Sequence, residues 1–302
     1  MIGAEFYKGE GFGNQLWIYA SIRSIAEKRG FEFGFLGTKN FKGKDFLNLD
    51  FGKSSTRGTS SKPVERIPSG FTHYVKEKQK FHSTSGADIS PLDSRLLNIE
   101  DGYFIDGALQ AEGYLSGFRP QICQWFNLNV TPQKKCLISL RGGEYRQLNE
   151  VLLPRSYYIN AMERIRSIDP EVVFEVVTDD LELAHEYFPE LNASSSGGVR
   201  IFLGRFYFSP KSIKIGDDFR RLQSAQYLIL SNSSFSWWGA YSNVHVQHVI
   251  APKFWARHNI SDGYWSQGDA LTSGWEWLDR EGHFFSYEEC AEEILAYKFR
   301  SS

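Results

Sequence analysis

At 302 residues, with 41% hydrophobic and 23% charged residues, the chain can bury one large or two moderate cores, and its composition indicates neither disorder nor a membrane protein. A formal net charge of -2 and a pI near 6.4 exclude the basic balance of a nucleic-acid binder. No run of about 18 apolar residues occurs and Met1–Tyr7 lacks an apolar leader core, so no integral membrane segment is expected and a cytoplasmic protein, peripheral to a membrane at most, is anticipated. Cys123, Cys136 and Cys290 are scattered, with neither metal-type spacing nor a disulfide framework, which suits a reducing compartment. Aromatic residues at 16%, including 8 Trp and 15 Tyr, suit sugar-stacking surfaces as well as core filling.

In chain order, Gly11-Phe12-Gly13-Asn14-Gln15-Leu16 opens a predicted helix with apolar positions Ile18, Ile22, Ile25 and Ala26, stopped by Gly30. A strand over 31–36 follows. The Ser-, Thr-, Lys- and Pro-rich stretch 52–86 lacks clear periodicity until Phe71 and reads largely as loop. A crossing between domains is expected around 120–135, marked by Pro132, which divides the chain into 1–132 and 133–302. The second half alternates: strand 136–140, helix from Pro154 through Tyr157, Ile159, Met162 and Ile165, strand 172–177, helix 181–188, strand 199–203, helix 218–226, strand 227–230, a Ser-rich helix, and strand 248–252. Such alternation predicts an α/β fold with a mainly parallel sheet covered by helices.

Ligands of such sheets bind beyond the carboxyl ends of the strands. Three polar clusters fall there: Arg141-Gly142-Gly143-Glu144-Tyr145, Thr178-Asp179-Asp180, and Ser231-Asn232-Ser233-Ser234-Phe235-Ser236 ahead of Trp237-Trp238. An Arg fork fits phosphate oxygens, a helix start with free N–H groups and hydroxyls attracts a diphosphate, and a strand-end Asp can accept from the two-donor edge of guanine. Each has an ordinary competitor. Arg141 could pair with Glu144 or another acid, Asp179 or Asp180 could cap the following helix, and the Trp pair could be core. The joint placement favours a guanine-diphosphate site, with the tryptophans as packing that fixes the helix.

These segments resemble glycosyltransferase family 11, the α-1,2-fucosyltransferase-like enzymes. The resemblance rests on Gly11–Leu16 with Tyr19-Ala20, on Gly107-Ala108-Leu109-Gln110-Ala111-Glu112-Gly113-Tyr114-Leu115, on Leu153-Pro154-Arg155-Ser156-Tyr157-Tyr158, and on Asn232–Ala240 followed by Val249-Ile250-Ala251-Pro252-Lys253-Phe254-Trp255. It implies a GT-B architecture, two Rossmann-like domains facing a cleft. The N-terminal domain would be acceptor-side and the C-terminal one would bind the GDP-sugar. The implied reaction is inverting, metal-independent transfer of fucose from GDP-fucose to a hydroxyl, O2 of a galactose-like unit, on an oligosaccharide or polysaccharide acceptor, with no cofactor. The resemblance implies Arg141 and Asn14 in catalysis, and Glu144 joins them as a candidate base on its chemistry. It assigns Gly13, Arg141, Asp179, Asn232, Ser233, Ser234, Phe235 and Ser236 to the donor, and Gln110 and Glu112 to the acceptor side.

The chain departs from the family's His-x-Arg-Arg-Gly-Asp-Tyr motif at Ser139, Gly142 and Glu144. Another GDP-sugar, or a catalytically silent GDP- or glycan-binding relative, therefore stands as the alternative. A general base is required for attack by the acceptor hydroxyl. Glu144, Asp106, Glu10 and His73 are the candidates, and the sequence does not rank them.

Overall fold

The computed structural model describes residues 1–53, 67–78, 80–81, 88–89, 92–149, 151–189, 199–203, 213–253 and 270–300. The chain forms two compact units, 1–126 with 267–270 and 127–266 with 271–302, so the division falls ahead of the expected 132/133 boundary and a short C-terminal piece belongs to the first unit.

The elements of the first unit are β1 (Ile2–Glu5), α1 (Phe12–Arg29), β2 (Phe33–Leu36), β3 (His73–Lys76), β4 (Lys80–Phe81), β5 (Asp88–Ile89), α2 (Ser94–Leu97), β6 (Tyr103–Asp106) and α3 (Arg119–Trp125). Its main sheet, ordered β2-β1-β6-β3, is parallel throughout, and β4 and β5 form a separate antiparallel pair. β3 is a correction to the loop expected over 52–86. It carries His73, Tyr74, Val75 and Lys76, which offer no apolar alternation, and its pairing with β6 rather than its composition makes it a strand. The remaining part of that stretch, 54–66, 79 and 82–86, lies outside the described residues.

α1 runs as the sequence predicts, ending where Gly30 takes φ 71° as C-cap and donates its N–H back to Ala26 and Glu27. It is buried well beyond one face: Ile18, Ile22, Ile25 and Ala26 are joined inside by Gln15, Ser21 and Ser24. Burial of Gln15 is compatible with stability because its amide donates to the Asn40 carbonyl at 2.9 Å and accepts from the Lys42 N–H at 2.8 Å. Beneath α1 the sheet is pressed close at Gly3, which pairs with Gly34 across β1–β2. A Cβ at Gly3 would lie 2.2 Å from the Gly34 carbonyl oxygen and 2.6 Å from the Phe71 ring.

The second unit comprises β7 (Gln133–Leu140), α4 (Arg155–Ile168), β8 (Phe174–Thr178), α5 (Leu181–Tyr187), β9 (Val199–Leu203), α6 (Ile213–Ser224), β10 (Ala225–Ile229), α7 (Ser234–Tyr241), β11 (His248–Pro252), β12 (Glu276–Leu278), β13 (Phe284–Phe285) and α8 (Tyr287–Arg300). The sheet is ordered β13-β12-β11-β10-β7-β8-β9, and every pairing except the antiparallel β12–β13 is parallel. β8 and β9 are laid down on one side of β7, and β10 to β12 on the other. The winding therefore reverses between β7 and β10, the place where a doubly wound sheet opens a crevice at its carboxyl edge. On one side of the sheet, Tyr157, Tyr158, Met162 and Ile165 of α4 pack with Ile138, Phe174, Val176 and Ile229. Each such buried side chain contributes on the order of 1.5–3 kcal/mol.

The two glycines separate two physical costs. Gly30→Ala meets no atom within 4 Å and should cost only the left-handed backbone preference, about 1–2 kcal/mol. Gly3→Ala must displace a neighbouring strand and should cost more than that; urea unfolding of the two variants checks the order.

Candidate active site

In the second unit, the ends of three adjacent strands, β10, β7 and β8, carry the three polar clusters, and named contacts tie them together. Ser139, near the end of β7, has its Oγ 3.1 Å from that of Ser231, which follows β10; both are buried. Two residues on, the guanidinium of Arg141 is 8% exposed and forms a close ion pair with Asp179, 6% exposed, at the end of β8. Its second terminal nitrogen lies 3.1 Å from Glu144, which is 61% exposed, and the guanidinium stands 5.1 Å from the Tyr145 ring centre. The Arg–acid pairing raised as a competitor is thus realised, with two acids at once.

The adjacent aspartates divide their work. Asp180 is the N-cap of α5, accepting from the Leu183 N–H at 2.9 Å, and it accepts from the Gly143 N–H at 3.2 Å as well. Asp179 accepts from the Gly142 N–H at 2.8 Å and from Arg141. Both Asp179 oxygens are therefore engaged by the 141–143 loop, and a guanine edge could be read there only by exchanging those contacts. Burial is the largest influence on the Asp179 carboxyl and pushes it up, against the pull of Arg141 and of the Gly142 N–H.

The close approach explains the divergent loop. A Cβ at Gly142 would sit 2.4 Å from that of Asp180, and Gly143 has φ 48° with its Cβ position 3.0 Å from Asp179 Oδ2. An Arg at 142 cannot occupy this path; the departure is a geometric consequence of the loop lying on β8.

Around α7 the assignments are sorted by burial. Ser233 is the N-cap with extended backbone, but its hydroxyl makes no capping bond, and Ser233 and Ser234 are half-buried at the turn. Intrahelical bonding starts with the Trp237 N–H on the Ser233 carbonyl, so the first-turn N–H groups ahead of it project from the helix start, as an anion site needs. The hydroxyl of Ser236 corrects the expectation of a phosphate ligand: it is buried and donates to the carbonyls of Ser231 and Ser233. Asn232 is likewise buried, its amide donating to the Val151 carbonyl at 2.8 Å, and Phe235 packs against Phe219. These three shape the turn. Trp237 and Trp238 are core, stacked and edged against Tyr241.

Sequence reasoning missed the brace behind this turn. The buried Tyr157 hydroxyl donates to the Leu230 carbonyl at 2.8 Å, fixing the chain where β10 gives way to Ser231. The Tyr157-Tyr158 pair was visible as a motif, but its partner lies 73 residues on.

In the first unit, Gly13 and Asn14 open α1 behind Gly11, an N-cap without a side chain. The Asn14 Oδ1 accepts from Gln110 Nε2 at 3.1 Å, which joins the β1–α1 corner to the segment after β6. Glu112 starts the short turn Glu112–Leu115 and is half-buried.

Of the four base candidates, Glu144 is paired with Arg141 in the second unit, and the other three are in the first. His73 is exposed at the start of β3, stacked on Tyr103, and Asp106 accepts from the Tyr74 hydroxyl at 2.7 Å and the Tyr7 hydroxyl at 3.5 Å. Glu10, between β1 and α1, has Oε2 buried without a hydrogen-bond partner. Burial pushes its carboxyl up to about 7, against a bond from the Tyr7 backbone and the nearby Lys42. Among the described residues no group of three or more His, Cys, Asp or Glu side chains could share a metal ion, and no helix is long and apolar enough to cross a membrane.

The sequence model of the family described as Glycosyl transferase family 11 matches residues 114–279, more than half of the chain. The chain belongs to glycosyl transferase family 11. It is thus a glycosyltransferase, and the family 11 match takes in Arg141, Asp179 and the α7 turn, while the Gly11–Leu16 segment lies ahead of it. An alpha-1,2-colitosyltransferase of Escherichia coli is 25% identical over 272 residues, covering 81% of this chain and 89% of that protein. Among solved structures, E. coli heptosyltransferase WaaC with ADP aligns at a TM-score of 0.47 and 11% identity, covering 98% of this chain and all of that one. NodZ alpha-1,6-fucosyltransferase soaked with GDP-fucose aligns at 0.41 and 15%, covering 85% and 97%.

Arg141→Ala should destabilise the second unit by about 3–5 kcal/mol, because it strands the buried Asp179 charge. Adding Asp179→Asn should return part of that loss. Denaturant unfolding of the single and double variants measures it, and strictly additive losses would contradict a coupled pair.

Proposed function

We propose that this family 11 chain transfers a deoxyhexosyl group, fucose in the leading reading, from a GDP-linked donor to a hydroxyl of a glycan, with inversion and without a metal. The observation that carries the reading is the junction at the β7–β10 reversal, where the Arg141 guanidinium and the start of α7 belong to adjoining strand ends. Charge grows on the departing diphosphate as the glycosidic bond breaks. A guanidinium already held in place by Asp179 and Glu144, together with oriented N–H groups, stabilises that charge without reorganising. Ser233 and Ser234, whose hydroxyls are not spent on capping, complete the phosphate contacts in this reading.

The first unit supplies the acceptor side through Gln110 and Glu112. Glu10 is the base in this proposal. What supports it is an unpartnered oxygen and a carboxyl brought near neutrality, whereas Asp106 is occupied by tyrosine hydroxyls and Glu144 by Arg141. The acceptor hydroxyl loses its proton to Glu10 as its oxygen attacks the anomeric carbon, and GDP leaves with the bonding pair.

A second donor reading, another GDP-sugar, is favoured by two observations: the colitosyl specificity named for the E. coli relative, and the Ser139, Gly142 and Glu144 departures. Turnover against a panel of GDP-fucose, GDP-mannose, a GDP-linked colitosyl donor and UDP-sugars decides between them. The proposal expects a GDP-deoxysugar to be used and UDP-sugars not; measurable GDP affinity with no turnover of any donor would identify a silent binding protein instead.

Glu10 must be ionised to act, so kcat/KM should fall as pH drops below about 7. Glu10→Gln should lose about 10²–10⁴-fold in rate and abolish that acidic limb. An unchanged pH profile in the variant would remove Glu10 from the mechanism.

A further inference from the structure

We propose that Glu77 is a positioning residue for the acceptor side, a carboxylate that holds the 107–114 segment in the one conformation that presents Gln110 to Asn14; this rests on the acceptor-side reading of Gln110. Glu77 follows β3 directly and is 2% exposed. One of its oxygens accepts from the Leu109 N–H at 2.9 Å, and the other from the Tyr114 hydroxyl at 3.0 Å. The same Tyr114 hydroxyl accepts from the Asp93 N–H at 2.9 Å. Two donors from both ends of one segment thus converge on a single carboxylate.

The segment needs such a clamp. Leu109 is fully buried and holds φ 52°, a conformation a branched, non-glycine residue adopts at a cost. Its own carbonyl and the residue after it are pinned as well. The Leu109 carbonyl accepts from the Ser21 hydroxyl of α1 at 3.1 Å, and Gln110 reaches the Asn14 side chain. A Cβ at Gly107 would stand 2.5 Å from that of Glu77, so the glycine lets the carboxylate reach the turn. Glu77 therefore sets where the Gln110 amide sits without itself being near it in sequence.

Glu77→Gln keeps the volume but supplies one acceptor oxygen where two donors converge. The transfer kcat should fall about 10- to 100-fold as the Gln110–Asn14 pair loses its register. GDP affinity, a property of the second unit in the proposed function, should stay at the wild-type value. Exchange of the Leu109 amide with deuterium should speed up about tenfold, the equivalent of one lost buried hydrogen bond. Tyr114→Phe, which removes one donor and leaves the carboxylate, should show a smaller loss of the same kind and serves if Glu77→Gln does not fold. Wild-type kcat in either folded variant would overturn the proposal, as would a loss shared equally by GDP affinity. Asn14→Ala and Gln110→Ala separate the two layers. If both are impaired while Glu77→Gln is not, only the positioning role fails; if both are fully active, the acceptor-side reading fails and the Glu77 role with it.

Discussion

The second unit depends on one buried ion pair. Arg141 at the end of β7 and Asp179 at the end of β8 are both nearly out of water, so neither can be charged at low cost without the other. Their union sets the path of the 141–143 loop, because Asp179 also takes the Gly142 N–H. That path in turn requires glycine at 142 and 143, brings Glu144 round to the far side of the guanidinium, and leaves Asp180 to cap α5. A guanidinium held from two sides has little rotamer freedom left, which is the preorganisation that stabilisation of a leaving diphosphate exploits.

The two units solve the same problem with different chemistry. Each has a parallel sheet and a helix that begins without a side-chain cap at the carboxyl end of a central strand, α1 after β1 and α7 after β10. The second unit offers a guanidinium at that place, Arg141, held between the Asp179 and Glu144 carboxylates. The first is acidic and aromatic, with Glu10, Asp106, Tyr7 and Tyr74 close in sequence or hydrogen-bonded to one another. A guanidinium and a helix start suit phosphate; carboxylates and phenolic hydroxyls suit sugar hydroxyls. The division of labour in the proposed reaction follows from that difference.

Much of this was legible in the chain. Alternating apolar runs and helical periods set out the second sheet, and the strand-end rule brings Arg141, Asp179 and Ser231 to one edge from the sequence alone. The Trp237-Trp238 pair was recognised as packing. What escaped were contacts between side chains far apart in sequence. Nothing local separates Asp179 from Asp180; only the start of α5 decides which of them caps. Ser236 and Asn232 looked like ligands because their polarity is visible and their carbonyl partners are not. β3 was hidden because a polar run becomes a strand only by pairing with β6, and Glu77 because its partners, Leu109 and Tyr114, come more than thirty residues later.

The central claim is that the β7–β10 reversal is where the donor's diphosphate sits. A crystal structure of the chain with GDP tests it most directly. The account predicts phosphate oxygens within hydrogen-bond distance of both the Arg141 guanidinium and the first-turn N–H groups of α7. Phosphates bound elsewhere, with the Arg141–Asp179 pair and the α7 start left untouched, would contradict it.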